Sequence, residues 1–384
     1  MNRVPVSPEL LRWASERSTL EMSELTERFP MLPKWEAGEV LPTLKQLEAF
    51  ARVVHVPVGF LFLPMPPDEP LPIPDFRTMA GKGVKRPSPN LLDTIYVCQE
   101  RQGWYREFAQ VTRQPEISFV GSATLNTRPE LVAETMRVTL GFDLDARSES
   151  PTWTEALRLF IQQADQAGVL VMASSVVQNN NHRHLDYDEF RGFALVDRLA
   201  PLVFINGADT KAAQMFTLAH ELAHLWLGAS ALSDATAAPV DGYRPEEVWC
   251  NAVAAELLVP LAAVQAELRD HEALDDTLQR LARRFKVSTL VILRRLLDAD
   301  QLDRASFQAA WQKELERLRA VDHGVSGGGD FYRTTTARVG RRFAQALVES
   351  TLEGQTLYRD AMRMLGISKV ATFHELGRTV GVLM

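Results

Sequence analysis

The sequence predicts an α+β protein that is mostly helical and contains one small sheet. Three observations predict this fold class. Most apolar residues recur at the three- to four-residue spacing of an amphipathic helix. Only three short segments, all between residues 169 and 205, have the pattern of strands. Prolines are concentrated between residues 64 and 74, and they separate a short N-terminal part from the rest of the chain.

Length and composition are those of an ordinary globular protein. The chain has 384 residues, of which 46% are hydrophobic and 24% charged. At roughly 150 residues per domain, this length predicts two or three domains. The formal net charge of −7 argues against wholesale coating of nucleic acid, so any DNA contact requires a local basic site.

Cysteine usage and hydropathy indicate a compartment. The only two cysteines, Cys98 and Cys250, cannot build a disulfide framework or a four-cysteine metal site. The N-terminal residues lack an apolar signal segment, and no apolar run reaches the roughly 18 residues that a membrane span needs. We therefore expect a soluble, cytoplasmic protein with no membrane association.

The elements are predicted from the N-terminus onward. Short helices are expected between residues 10 and 63, and the clearest begins at Thr43, because its side chain and that of Gln46 can form a capping box. The prolines that follow predict a stiff connector. The later elements are, in order, helices at 91–109, 129–140 and 154–167, strands at 169–172, 191–196 and 202–205, a helix from Asp209 to near Gly228, a polar loop at 229–242, a helix at 245–259, and further helices interrupted at 324–330.

The most informative motif is His220-Glu221-Leu222-Ala223-His224. Residues four apart lie on the same face of a helix, so His220 and His224 can bind one ion, while Glu221 stands beside its open coordination position. Asp209 or Thr210 can cap the start of this helix and Gly228 can end it. This spacing is the one that hydrolysis by a bound zinc ion requires.

A catalytic zinc needs a third protein ligand, and a second helix offers three acidic candidates, Glu246, Glu247 and Glu256. Glu247 and Glu256 face opposite ways, because nine positions at roughly 100° per residue leave half a turn. Glu247 has Asn251 on the same face four residues later, where it can act as a hydrogen-bond partner of a ligand. We therefore choose Glu247 as the third ligand.

Two segments resemble the ImmA/IrrE family of zinc metallo-endopeptidases. They are Phe-Thr-Leu-Ala-His-Glu-Leu-Ala-His at 216–224 and Glu-Val-Trp-Cys-Asn-Ala-Val-Ala-Ala-Glu-Leu-Leu-Val-Pro at 247–260. The resemblance implies a zincin-like domain whose third metal ligand falls on Glu247. It also implies a regulatory endopeptidase that cleaves a repressor or a partner from a toxin–antitoxin system.

The expected mechanism places Zn²⁺ on the two histidines and Glu247, with Glu221 as general base for the attacking water. Mn²⁺ or Fe²⁺ also suits this ligand set. The strand at Pro201–Asn206 is expected to hold an extended substrate by edge addition. Tyr243 and Tyr187 are candidates for stabilising the oxyanion or contacting substrate.

Two further regions resemble helix-turn-helix modules. Residues 35–47 resemble the latter half of a Cro/repressor-like (XRE) module, but the preceding stretch is about five residues short and contains Pro30 and Pro33. Either this degenerate module reads DNA bases or it docks a protein. The second region is 278–297. It carries a set of basic residues that could contact DNA or a partner, or could be solvated: Arg283, Arg284, Lys286, Arg294 and Arg295.

These interpretations divide the chain into five parts. They are an XRE-like module at 1–63, a proline-rich connector at 64–90, a zincin-like peptidase domain at 91–265, a helical segment with the second helix-turn-helix pattern at 266–320, and a helical accessory domain at 321–384. The alternative is a DNA- or toxin-binding regulator without proteolytic activity, in which the metal site is structural. Glu221 favours the enzyme, because a structural site does not need a carboxylate beside an open coordination position.

Overall fold

A computed structural model describes residues 3–18, 20–75, 87–233, 244–321 and 331–383. It divides into two compact units, Met1–Pro72 with Lys85–Ile95, and Ile73–Val84 with Tyr96–Met384. The predicted break at 324–330, Tyr243 and most of the predicted loop at 229–242 lie outside the described residues. The fold is mostly helical with one small mixed sheet, so the predicted α+β class is confirmed.

Among its described residues, the first unit contains four short helices, one 3₁₀ helix and the first residues of α5 (Pro89–Val111), and it has a core of its own. The predicted capping box between Thr43 and Gln46 is present. In the region where a recognition helix would run, the helix has only five residues and Pro33 occupies its second position. The elements of this unit are α1 (Pro8–Arg17), α2 (Met22–Arg28), α3 (Leu32–Glu36), α4 (Leu44–Val53) and the 3₁₀ helix Val58–Phe62.

The remaining elements agree with most of the predicted ones within a few residues. The helices are α5 (Pro89–Val111), α6 (Pro129–Leu140), α7 (Leu144–Ser148), α8 (Trp153–Gln166), α9 (Lys211–Leu227), α10 (Pro245–Leu258), α11 (Leu261–Glu267), α12 (Leu274–Phe285), α13 (Thr289–Asp298), α14 (Arg304–Val321), α15 (Phe331–Val339), α16 (Arg341–Leu352), α17 (Tyr358–Leu365) and α18 (Val370–Val380). The strands are β1 (Leu170–Ser174), β2 (Gly192–Leu195), β3 (Leu202–Asn206) and β4 (Ala231–Ser233).

The sheet has the order β1-β3-β2-β4. β3 pairs in parallel with β1 and antiparallel with β2, and β2 pairs antiparallel with β4. Because β3 has a neighbour on each side, the prediction that Pro201–Asn206 accepts a substrate strand is wrong. β4 lies where only a polar loop was predicted, because a strand of three residues shows no recognisable alternation in the sequence.

α9 and α10 form the centre of the second unit. α9 packs against α10, α8 and the sheet, and every residue of Gln214–Trp226 is buried. A helix that is buried all round must be apolar on every face, so the charged residues within it demand a local explanation. Among the described residues, no single helix is long and apolar enough to cross a membrane. α10 and α11 reach that length and composition together, but they meet at 45°.

Candidate metal centre

α9 holds the two histidines of the motif one turn apart. Its ends are defined as predicted, because the Thr210 hydroxyl accepts a hydrogen bond from the Ala213 amide at 3.2 Å and Gly228 ends the helix with φ 76°. The Nε2 atoms of His220 and His224 are 3.1 Å apart, and both side chains are fully buried. The helical period therefore brings two imidazole nitrogens to one point, as the motif predicts.

α10 brings a carboxylate to the same point. The Glu247 oxygens lie 3.2 Å from Nε2 of His220 and 3.1 Å from Nε2 of His224. One donor atom from each of these three residues lies within 4.8 Å of the other two, and all three residues are buried. Of the other acidic candidates, Glu246 is half-buried in the first turn of α10, and Glu256 pairs with Arg295.

Asn251 orients the first of these histidines. Its Oδ1 lies 3.0 Å from Nδ1 of His220. Since an amide oxygen can only accept, this contact assigns the imidazole proton to Nδ1 and leaves the lone pair on Nε2 for an ion. Asn251 therefore contacts the ligand His220 rather than Glu247, the residue four positions before it.

The three buried groups shift one another's pKa values. Burial lowers the pKa of His224, which keeps its imidazole neutral. Burial acts to raise the pKa of Glu247, but the two imidazoles outweigh it and hold this pKa at about 2. Burial acts to lower the pKa of His220, but the Glu247 carboxylate beside it raises the pKa above its ordinary value. Two nitrogens and one carboxylate at this spacing are the donor set of a catalytic zinc site.

Glu221 lies next to this donor set, with the Ser233 hydroxyl nearby. It is fully buried, and neither carboxylate oxygen has a hydrogen bond among the described residues. Burial raises the pKa of Glu221 to about 8. Gly192 of β2 lets α9 approach this closely, because a Cβ there would lie 2.6 Å from Thr217 and 3.2 Å from Cγ of Glu221. A buried carboxylate left unpaired is costly, which marks Glu221 as a functional group.

Sequence analysis missed Ser233, the last residue of β4. Its Oγ lies 3.2 Å from Nε2 of His224 and 3.4 Å from Oε1 of Glu247, and the residue is fully buried. A lone serine in a predicted loop gives no sequence signal. Only the pairing of β4 with β2 places it against α9 and α10.

Arginine side chains bind the carbonyl groups at the C-terminal end of α10. Arg137 donates to the Glu256 carbonyl at 2.9 Å, Arg147 to that of Leu258, and Arg295 to that of Val259 at 2.8 Å. The last carbonyls of a helix have no partner within it, so these bonds fix the end of the helix that carries Glu247.

The structure therefore gives Arg295 a role that the sequence did not predict. It is 6% exposed, and its guanidinium also pairs with the carboxylates of Glu256 and Asp298. The expectation that Arg295 contacts DNA or a partner is wrong for this arrangement, because its donors are used inside the protein.

The other basic candidates lie in different environments. Arg284 pairs with Asp145 at 2.6 Å, and Arg294 pairs with Asp298 at 2.9 Å. Lys286 is buried, and its Nζ lies 5.5 Å from the centre of the Trp153 ring. Arg283 is exposed. Tyr187 is half-buried in the turn before β2, and its role, like that of Tyr243, stays a prediction.

Comparisons with known proteins bear on the central part of the chain. A peptidase family model described as the IrrE N-terminal-like domain matches residues 164–297. A domain of unknown function (DUF8813) matches residues 339–379. No curated protein matches the sequence.

The first of these matches contains the whole metal centre. It supports a metallopeptidase-type function and the predicted resemblance to the ImmA/IrrE family. No family model matches the predicted XRE-like module, and the match itself ends at 297, so the division of the chain into five parts stays a prediction. Residues 164–297 are thus similar to IrrE N-terminal-like peptidase domains.

Proposed function

We propose that this protein is a zinc-dependent regulatory endopeptidase that cleaves a protein partner. The observation that carries this proposal is the combination of a buried His220–His224–Glu247 donor set with Glu221, a buried carboxylate that has no partner among the described residues. A structural metal site has no use for such a carboxylate, whereas hydrolysis requires one.

The chain's own residues supply a base and its position. A divalent metal held by the three ligands would polarise a substrate carbonyl and lower the pKa of water. Glu221 lies close enough to His220 and Glu247 for their charges to shift its pKa. At this position it takes the proton from the attacking water and passes it to the leaving amine. Zinc is the metal we propose, and Mn²⁺ or Fe²⁺ would suit the same ligands.

The parts outside the matched region support a regulatory role. The first unit has its own hydrophobic core and no residue of the metal centre, so it is available to select a partner. The resemblance to the ImmA/IrrE family makes a repressor or a toxin–antitoxin protein the expected substrate. The exposed Arg283 is available for contact with DNA. The free thiols of Cys98 and Cys250 suit the reducing cytoplasm that we propose as its location.

The test compares new protein N-termini in cells that express the wild type, Glu221→Gln or Glu246→Gln, with and without stress. Loss of a general base costs about 10²- to 10⁴-fold in rate, so Glu221→Gln should abolish the new termini. Glu246→Gln is the matched control, because Glu246 lies on α10 outside the donor set. Metal analysis of each purified variant shows whether the centre is loaded.

Termini shared by the wild type and Glu246→Gln but absent with Glu221→Gln would establish proteolysis and identify the substrate. If the folded, metal-loaded wild type yields the same termini as Glu221→Gln, the protein is not a peptidase. The regulator with a structural metal then becomes the better interpretation.

A further inference from the structure

Ser233 places a hydroxyl against two of the three candidate metal ligands. Its Oγ is 3.2 Å from Nε2 of His224 and 3.4 Å from Oε1 of Glu247. Nε2 of His220 and Nε2 of His224 are 3.1 Å apart, and they lie 3.2 Å from Oε2 and 3.1 Å from Oε1 of Glu247, respectively. Ser233 is as fully buried as the three ligands.

These separations are close to those of neighbouring ligand atoms around one ion. Zinc bonds of about 2.0–2.1 Å would place neighbouring ligand atoms about 3.3 Å apart. Nε2 of His224, Oε1 of Glu247 and Oγ of Ser233 are 3.1–3.4 Å from one another. The Ser233 hydroxyl therefore lies where it would reach an ion held by His224 and Glu247, beside the position that a hydrolytic site keeps for water.

The backbone around Ser233 holds it there. Ser233 pairs with Gly192 in β2, the residue that lies against Glu221. On the other side of β4, the Leu232 amide donates to the Pro74 carbonyl at 3.0 Å. Because β4 is hydrogen-bonded on both sides, strand pairing holds the backbone of Ser233 in place. The hydroxyl is therefore carried by a strand rather than by a flexible loop.

We propose that the Ser233 hydroxyl is a fourth ligand that competes with water for the metal, so that this arrangement is a resting state of the site. This inference rests on the proposed function, because it requires the metal to bind at the three ligands. Hydrolysis then requires the Ser233 oxygen to leave the metal and a water molecule to take its place, while the hydroxyl keeps its proton. Glu221 has a proton to accept only after that exchange.

The first experiment replaces the hydroxyl by a thiol that reports on its distance from the metal. Ser233→Cys is loaded with Co²⁺, whose bond to a thiolate gives an intense charge-transfer absorption in the near ultraviolet. Ser230→Cys is the control, because Ser230 accepts a hydrogen bond from the Val196 amide and has no contact with the centre among those the structure describes. We expect the band in Ser233→Cys and its absence in Ser230→Cys and in the wild type.

The second experiment measures access to the remaining coordination position with azide, a small anion that binds an open metal position. Co²⁺-loaded Ser233→Ala should bind azide at least about tenfold more tightly than the wild type, which corresponds to about 1.4 kcal/mol. Ser233→Thr keeps the hydroxyl and should bind azide as the wild type does. The comparison of azide affinities tests the role of Ser233 even if Ser233→Cys does not fold.

The outcomes separate the two proposals. A wild type that binds Co²⁺, with no band in folded Ser233→Cys and equal azide affinity in the wild type and Ser233→Ala, would overturn the role of Ser233 and leave the peptidase proposal intact. A wild type whose affinity for Co²⁺ is no higher than that of Glu247→Gln would overturn both proposals.

Discussion

The α9–α10 pair and the α12–α13 pair both carry charged motifs, and they place their charges in opposite environments. In α9 and α10, His220, Glu221 and Glu247 are fully buried and face one point. In α12, Arg280 pairs with Glu272 at 2.6 Å and Arg284 with Asp145 at 2.6 Å, and all four groups keep some contact with solvent. Burying the charges of α9 and α10 lowers the free energy of unfolding. The partly exposed ion pairs of α12 change it little in either direction.

The difference teaches how to separate a functional charge from a structural one. A buried charge persists either because partners fully satisfy it or because the protein uses it. Arg295 is of the first kind, since its donors bind a carbonyl and two carboxylates. Glu221 is of the second kind, since neither of its oxygens has a partner among the described residues. Of the four arginines in the basic motif of α12–α13, Arg295 is the buried structural one.

The largest stability effect should follow from Arg295→Ala. The substitution leaves the Glu256 carboxylate, whose side chain is 13% exposed, and the Val259 carbonyl without their donor. Breaking a buried pair in this way costs about 3–5 kcal/mol in the free energy of unfolding. Urea denaturation measures it. A loss below about 1 kcal/mol would mean that Arg295 behaves as a surface residue and would break the comparison.

A pH-dependent effect should follow from Asp165→Asn. Burial raises the pKa of Asp165 in α8 to about 7 from 3.8, and Oδ1 has no hydrogen bond among the described residues. The folded protein then binds more protons than the unfolded chain between pH 4 and 7, so the wild type loses stability as the pH rises through this range. Asp165→Asn should be the more stable protein at pH 8, by up to about 4 kcal/mol, and should lose this advantage near pH 4.

Denaturation curves at several pH values measure this difference. Glu134→Gln, at an exposed position on α6, is the control and should follow the wild type throughout. A constant difference between Asp165→Asn and the wild type from pH 4 to 8 would contradict the assignment of a protonated, buried Asp165.

Metal binding should stabilise the fold through the three buried ligands. A ligand present at 100 times its dissociation constant adds about 2.7 kcal/mol when it binds only the folded state. Zn²⁺ should therefore raise the melting temperature of the wild type but not that of Glu247→Gln, which keeps the side-chain volume and loses the charge. Equal shifts in both proteins would place the binding elsewhere.

The smallest effect should follow from Arg294→Ala, the neighbour of Arg295. Arg294 pairs with Asp298 four residues later, and its side chain is 36% exposed. Such pairs contribute about 0.3–0.5 kcal/mol, so its unfolding free energy should stay within about 0.5 kcal/mol of the wild type. A loss as large as that of Arg295→Ala would show that burial does not separate the two arginines.

Local patterns determined much of the site and of the fold. The four-residue spacing of His220 and His224 is a property of the helix, and any helix there places both imidazoles on one face. The sequence predicted a cap at Asp209 or Thr210 and an end at Gly228 for α9, and the structure has its caps at Thr210 and Gly228. The period of α10 showed that Glu247 and Glu256 face opposite ways, and Asn251 four residues after Glu247 favoured Glu247. The structure agrees. Each of these inferences needs only residues within one or two turns of each other.

Tertiary structure decided what depends on residues far apart in the chain. The order of the sheet put β3 inside rather than at an edge, because strand neighbours are chosen by long-range pairing. That pairing brought Ser233 to the metal centre and Gly192 beneath Glu221. The end of α10 needed donors from distant segments, which Arg295 supplies with two other arginines. A sequence displays the period of one helix directly, but it does not show which distant surfaces meet.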